Sequence, residues 1–128
     1  MPWKKSQPKK EEEKPAVKLS AIDQDILTAF GGRELYGLEV LTELNCGRAT
    51  KLSFGSLYPA LNRLEKKGFI SWRWGDEQEV SGGARRKYYK MTAPGTTALR
   101  EVEQYRAELA ARAVKAQSLG KEPKYGYT

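Results

Sequence analysis

From Leu19 onward, Ile22, Ile26, Leu27 and Phe30 recur at helical spacing, which predicts a first helix ended by Gly31-Gly32. Ser20 stands at its start as an N-cap, with Asp23 as an acid at the third position. A second, shorter helix is expected to open near Tyr36-Gly37 and end across Asn45 to Gly47. It turns Leu38, Leu41 and Leu44 inward and Glu39 and Glu43 outward. A third helix follows Leu52-Ser53, with Ser53 as N-cap and Leu57, Leu61 and Leu64 on one stripe, and stops at Gly68. Pro59 lies far enough inside that segment to predict a later start or a bend.

The period then changes. Phe69 to Trp74 is aromatic and β-branched, and Arg86 to Met91 contains paired tyrosines, so both read as strands. Gly75 to Ala84, with its acids and Gly82-Gly83, forms the long tip of the hairpin between them. Tyr88 and Tyr89 face opposite sides of the sheet, one toward the core. Thr92, with Pro94 two residues on, announces a last helix, because proline is tolerated in a first turn. Leu99, Val102, Tyr105, Leu109, Ala113 and Ala116 share one side of it. It spans about 24 residues, roughly 36 Å.

The chain has 128 residues, the size of one domain. Residues 1–17 are rich in Lys, Glu and Pro and are expected to be a disordered tail. Residues 18–92 then form the helix and hairpin domain, 93–117 the long helix, and 118–128 a second tail. No apolar run approaches a membrane span, and the N-terminal residues lack the apolar stretch of a signal peptide, so a cytoplasmic protein is expected.

Composition removes several chemistries. There is no His, so histidine-based nucleophilic arrangements and metal sites are out of reach. Cys46 alone builds neither a disulfide framework nor a thiolate metal site. Phosphate-cradling and dinucleotide-binding glycine patterns are missing as well. No catalytic residue, cofactor or metal is expected, and an enzyme is the weaker class.

The formal charge of +7 is unevenly distributed. Residues 19–47 sum to -4, residues 48–67 to +4, residues 68–83 to -2 and residues 84–90 to +4. Three short helices followed by a hairpin is the order of a winged helix-turn-helix. Its third helix and the return strand of its wing are the two basic segments, the footprint expected of phosphate contacts. The fold class is therefore mainly α with a two-stranded β wing.

Three stretches carry a resemblance. Tyr36-Gly37-Leu38-Glu39-Val40, the run from Ser53 to Ile70, and Arg85-Arg86-Lys87-Tyr88-Tyr89-Lys90-Met91-Thr92 followed by Gly95 resemble the PadR family of bacterial transcriptional regulators. The resemblance covers roughly residues 18–110. It implies a winged-helix DNA-binding domain with a C-terminal dimerisation helix, usually in a repressor. The single long helix resembles the family's smaller branch. Gly83-Ala84-Arg85-Arg86 departs from the Gly-Arg-Pro-Arg that members often carry before Lys-Tyr-Tyr.

Candidate DNA contacts follow from the residue types. Ser53, Gly55 and Ser56 sit at a helix N-terminus, where hydroxyls and N–H groups meet phosphate and a bulky side chain would hold the backbone away. Tyr58 and Asn62 lie four apart on one face. Asn reads adenine bidentately, while Tyr more often meets phosphate or sugar. Arg63 is a phosphate candidate, and Lys66 and Lys67 favour the dipole of the helix end. In the wing, Arg85 and Lys87 are expected on the DNA side, with Arg86 as a further candidate.

The last helix overhangs a small core, so Leu99, Val102, Tyr105 and Leu109 are expected to bury themselves against a second copy. Two-fold symmetry then spaces two recognition helices about 34 Å apart, matching an inverted-repeat operator in double-stranded DNA. Arg106 and Arg112 interrupt a strict heptad. The family resemblance further implies release by a small aromatic effector in some members. Trp72 and Trp74 share one side of their strand, either as an exposed platform for such a ligand or as core. The alternative to a DNA-binding regulator is a winged-helix protein-interaction or RNA-binding module.

Overall fold

The computed structural model describes residues 18–76 and 85–120. The expected tail at 1–17, the hairpin tip at 77–84 and residues 121–128 lie outside the described residues. In chain order the elements are α1 (Ala21–Phe30), β1 (Leu35–Tyr36), α2 (Gly37–Asn45), α3 (Phe54–Lys66), β2 (Ile70–Trp74), β3 (Lys87–Met91) and α4 (Ala93–Ser118).

Three of the four described helices, α1, α3 and α4, start where a side chain replaces a missing intrahelical partner of their first N–H groups. Ser20 Oγ accepts from Asp23 N at 3.1 Å while Asp23 accepts from Ser20 N at 3.1 Å, a reciprocal box that begins α1. Ser53 Oγ accepts from Ser56 N and begins α3. Thr92 Oγ1 accepts from Gly95 N and begins α4, with Pro94 in its first turn. That hydroxyl also donates to the Gly68 carbonyl at 2.6 Å, tying α4 to the end of α3. Pro59 neither delays nor splits α3, which runs from the Ser53 cap straight through it. The proline removes one helical N–H, and the buried Leu57, Ala60, Leu61 and Leu64 around it hold the helix in place.

The sheet has three strands in the order β1-β3-β2, all antiparallel, where a two-stranded wing was expected. The added strand pairs Leu35 with Tyr89 and Tyr36 with Tyr88. Two residues carry no period of their own, so only pairing with β3 makes them a strand. The register sets Trp72 opposite Tyr89 and Trp74 opposite Lys87, placing these four on one face, with Arg73 and Tyr88 on the other.

Ile26, Leu27 and Phe30 of α1 meet Val40 and Leu44 of α2, the inward stripe of α3, Ile70 and Tyr89 of the sheet, and Leu99 of α4. Burying each such side chain is worth roughly 1.5–3 kcal/mol. Tyr89 is the tyrosine that turns inward, as alternation requires. In α2 the expectation is corrected at one position. Leu38 is 51% exposed and Val40 is fully buried, because a helix starting at Gly37 turns residues 37, 40 and 44 to the core. Between α2 and α3, Asn45 Nδ2 donates to the Leu52 carbonyl at 3.0 Å and Leu52 N donates to Asn45 Oδ1 at 2.8 Å. This pair of bonds sets where α3 begins.

The last helix is 26 residues long, one residue past the expected end, or about 39 Å at 1.5 Å per residue. Gly95, Ala98 and Leu99 are buried and Val102 is half-buried. From Glu103 onward the described helix is exposed.

Candidate nucleic-acid interface

The exposed side of α3 carries Ser53, Phe54, Gly55, Ser56, Tyr58, Pro59, Asn62 and Arg63, opposite its buried leucines. At Gly55 an added Cβ would meet only Ser53 Oγ, at an ordinary 3.5 Å. Nothing in the chain's own packing demands glycine there. Gly37 differs, since a Cβ at that position would overlap the Tyr58 hydroxyl. Tyr58 is thus seated against the first residue of α2, with its ring partly exposed.

Phe54 was not among the sequence candidates. It is 39% exposed and stacks on Tyr58 with ring centroids 5.3 Å apart and planes 19° apart. Its position one residue after the Ser53 cap, four before Tyr58, was the available signal.

Arg63 is not free to act as a simple surface cation. Its Nη2 donates to Asp23 Oδ1 at 2.9 Å, and Asp23 is 2% exposed. The acid first read as a cap residue therefore also holds α3 to α1. The neighbouring cations are engaged too. Arg48 pairs with Asp25 at 3.1 Å, Lys51 Nζ donates to the carbonyls of Asn45 and Arg48, and Lys67 Nζ donates to the carbonyl of Lys18. Asn62 remains exposed one turn beyond Tyr58.

In the wing, the cations rest on aromatic rings. Arg86 lies 4.4 Å from the Tyr36 ring centroid, Lys87 Nζ 4.1 Å from that of Trp72, and Arg85 5.8 Å from that of Trp74. Arg85 Nε also donates to the Gly75 carbonyl at 3.2 Å, across the base of the hairpin. All three line a cleft of about 290 Å³ between α3 and the wing, together with Tyr36, Gly37, Tyr58, Trp74 and Tyr89. Arg86 therefore belongs with Arg85 and Lys87 in the lining of this cleft, although alternation alone points it elsewhere.

The two tryptophans do not form a flat platform. Their rings meet edge to face at 5.3 Å and 81°. Trp72 is half-buried and its Nε1 donates to Glu65 Oε2 at 2.7 Å, while Trp74 is 49% exposed. One ring is thus core lining and the other is surface. Beneath them, burial pushes the Tyr89 phenol above its ordinary pKa, and the nearby Tyr58 and Glu65 add to the shift. A larger open cleft of about 500 Å³ lies beside Asp25, Arg33, Glu43, Cys46 and Arg48. Its charges are already matched as Arg33–Glu43 and Arg48–Asp25 pairs.

Residues 26–101 match the sequence pattern of the Transcriptional regulator PadR-like family, more than half of the chain. The chain belongs to that family. A Mycobacterium tuberculosis protein, transcriptional regulator Rv3488, is 33% identical over 99 residues, covering 77% of this chain and 88% of its own. A PadR family transcription regulator from Clostridium difficile superposes with a TM-score of 0.64 at 31% identity, over 78% of this chain and 99% of its own. Bacillus subtilis PadR, solved in complex with operator DNA, shares the fold with a TM-score of 0.56 at 23% identity, over 64% of this chain and 47% of its own. The family is one of transcriptional regulators rather than enzymes. Among the described residues no helix is long and apolar enough to cross a membrane, and no group of three or more His, Cys, Asp or Glu is placed to hold a metal.

Proposed function

We propose that this chain is a homodimeric, sequence-specific DNA-binding repressor that reads an inverted repeat. The observation that carries the reading is the surface made by the exposed N-terminal turn of α3 and the cations of the wing beside it. In a winged helix the third helix enters the major groove and its N-terminal residues meet base edges. Ser53, Gly55, Ser56 and Tyr58 lie at that end and Asn62 one turn on, while Arg85, Arg86 and Lys87 meet phosphates. Arg63, a phosphate candidate from its residue type, is not one of these contacts, since Asp23 holds it.

Dimerisation rests on α4. Tyr105 and Leu109 are about half exposed on a helix that continues well past the domain, and a second copy covers them, with the half-buried Val102 at the near end. Leu99, expected in the same seam, is instead 8% exposed within the chain's own core and is not part of it. Repression then follows from a dimer occupying a promoter. Release by a small aromatic ligand is the remaining part of the proposal, with the ligand bound beside Trp74 in the cleft next to α3, a cleft whose lining does not include Trp72.

The test is electrophoretic mobility on duplex from the chain's own promoter region against random duplex at the same salt. Tighter binding to the promoter duplex is expected, and equal binding would sink the reading. The combined Tyr58→Ala and Arg85→Ala variant is expected to lose the difference while sedimenting as a folded dimer. Leu109→Glu with Tyr105→Glu is expected to give monomers. Tryptophan fluorescence titrated with phenolic and planar cationic compounds tests the ligand, and flat responses across the panel would remove that part.

A further inference from the structure

Phe54 occupies the first residue of α3, the end that the proposed function directs at base edges, and this inference rests on that reading. Its ring is held on one side, through a neighbour that is itself fixed. It stacks on Tyr58 at 5.3 Å, and Tyr58 is itself seated on the first residue of α2, where Gly37 leaves room for the hydroxyl. A stacked ring at (i, i+4) keeps one orientation, so its edge is presented without first having to be ordered.

The surroundings decide which chemistry it recognises. The neighbouring exposed groups are the hydroxyls of Ser53 and Ser56 and the open backbone at Gly55, while Arg63 is engaged with Asp23, and Lys66 and Lys67 lie at the opposite end of the helix. An apolar ring among neutral groups gains nothing from a phosphate. In the major groove the apolar feature that distinguishes one base from the others is the C5-methyl group of thymine.

We propose that Phe54 is a specificity-determining residue that selects thymine through its C5-methyl group, with Tyr58 positioning the ring. The experiment begins with selection of binding sites from a random duplex library by the full-length chain. The selected duplex is then resynthesised with deoxyuridine in place of each thymine in turn, which removes the methyl and leaves base pairing intact.

For the wild-type chain, one symmetric pair of positions is expected to show a loss of roughly fourfold per methyl, the effect of leaving one methyl-sized group in water. Phe54→Ala is expected to bind thymine and deoxyuridine duplexes equally, and Phe54→Leu to retain part of the preference. Wild-type binding indifferent to deoxyuridine at every position, or a Phe54→Ala chain that keeps the full preference, overturns the inference while leaving DNA binding intact. Failure to enrich any sequence overturns the DNA-binding reading itself, and the inference with it.

Discussion

Residues 48–67 around α3 and residues 84–90 of the wing each carry a net charge of +4, and the fold uses the two in opposite ways. Around α3, Lys66 is exposed at the far end of the helix, while Arg48 and Arg63 are paired with Asp25 and Asp23, and Lys51 and Lys67 donate to backbone carbonyls. Those engaged cations fasten one element to another. The face that α3 offers outward near its start is neutral, built from Ser53, Phe54, Gly55, Ser56 and Tyr58, with Asn62 beyond. In the wing, the described contacts of Arg85, Arg86 and Lys87 are to aromatic rings and one carbonyl. A ring orients a cation without neutralising it, so the charge stays available to a phosphate. Net charge per segment thus marks where cations are, and only their partners separate a structural cation from one that binds.

Four substitutions break or sharpen that contrast. The largest effect is expected from Asn62→Ala, which removes a base-reading side chain from the neutral face. About 1–3 kcal/mol of discrimination at one base pair should disappear, with the salt dependence of binding unchanged, as read by titrations on single-base variants. Next is Asp23→Asn, which releases Arg63 and weakens the start of α1. Because the guanidinium is 46% exposed, its share of the ion pair is discounted, and a loss of about 1–2 kcal/mol is expected in urea unfolding. The freed cation of each protomer should also make DNA binding steeper in salt, by up to about two units of slope for the dimer.

Trp74→Ala comes third. It takes away the ring beside Arg85 and the edge partner of Trp72, and should cost about 1 kcal/mol of stability. The cation remains, so the salt slope of binding should hold while affinity falls only a few fold. Smallest is Tyr89→Phe, at the seam between α3 and the wing. The raised pKa of Tyr89 means the folded state favours the neutral phenol and the unfolded chain ionises first. That contribution is whole below the unfolded tyrosine pKa of about 10 and is lost as pH rises from there through the native value. Urea unfolding between pH 8 and 11 should fall less steeply at the alkaline end for Tyr89→Phe than for wild type.

Much of the architecture is legible in the residues because it is locally encoded. Ser20 with Asp23, Ser53, and Thr92 with Pro94 announce three helix starts, and alternating aromatics announce the wing. Strand β1 is not, since Leu35 and Tyr36 become a strand only through Tyr89 and Tyr88 far along the chain. The exchange of Leu38 for Val40 in the core has the same origin, because several apolar residues in a short helix allow more than one inward face. In the interface, Tyr58, Asn62 and the wing cations follow from residue type and position. Arg63 does not, because its partner Asp23 lies 40 residues away. Phe54 does not follow either, because its stack with Tyr58 depends on side-chain packing that residue type alone does not specify.

The central claim is that the wing supplies charge and α3 supplies reading. Fluorescence anisotropy on a selected duplex, with log K followed against log salt, tests it on three proteins: wild type, Arg85→Ala/Arg86→Ala/Lys87→Ala, and Ser56→Ala/Asn62→Ala. With a wing from each protomer and about 0.9 per phosphate contact, the wing variant is expected to lose roughly 5 units of slope, on the order of ten-thousandfold in affinity near physiological salt, while keeping its preference among base variants. The α3 variant is expected to keep the wild-type slope and lose the preference except for the thymine selected by Phe54. A wing variant with the wild-type slope, or an α3 variant whose slope collapses while its base preference survives, would contradict the account.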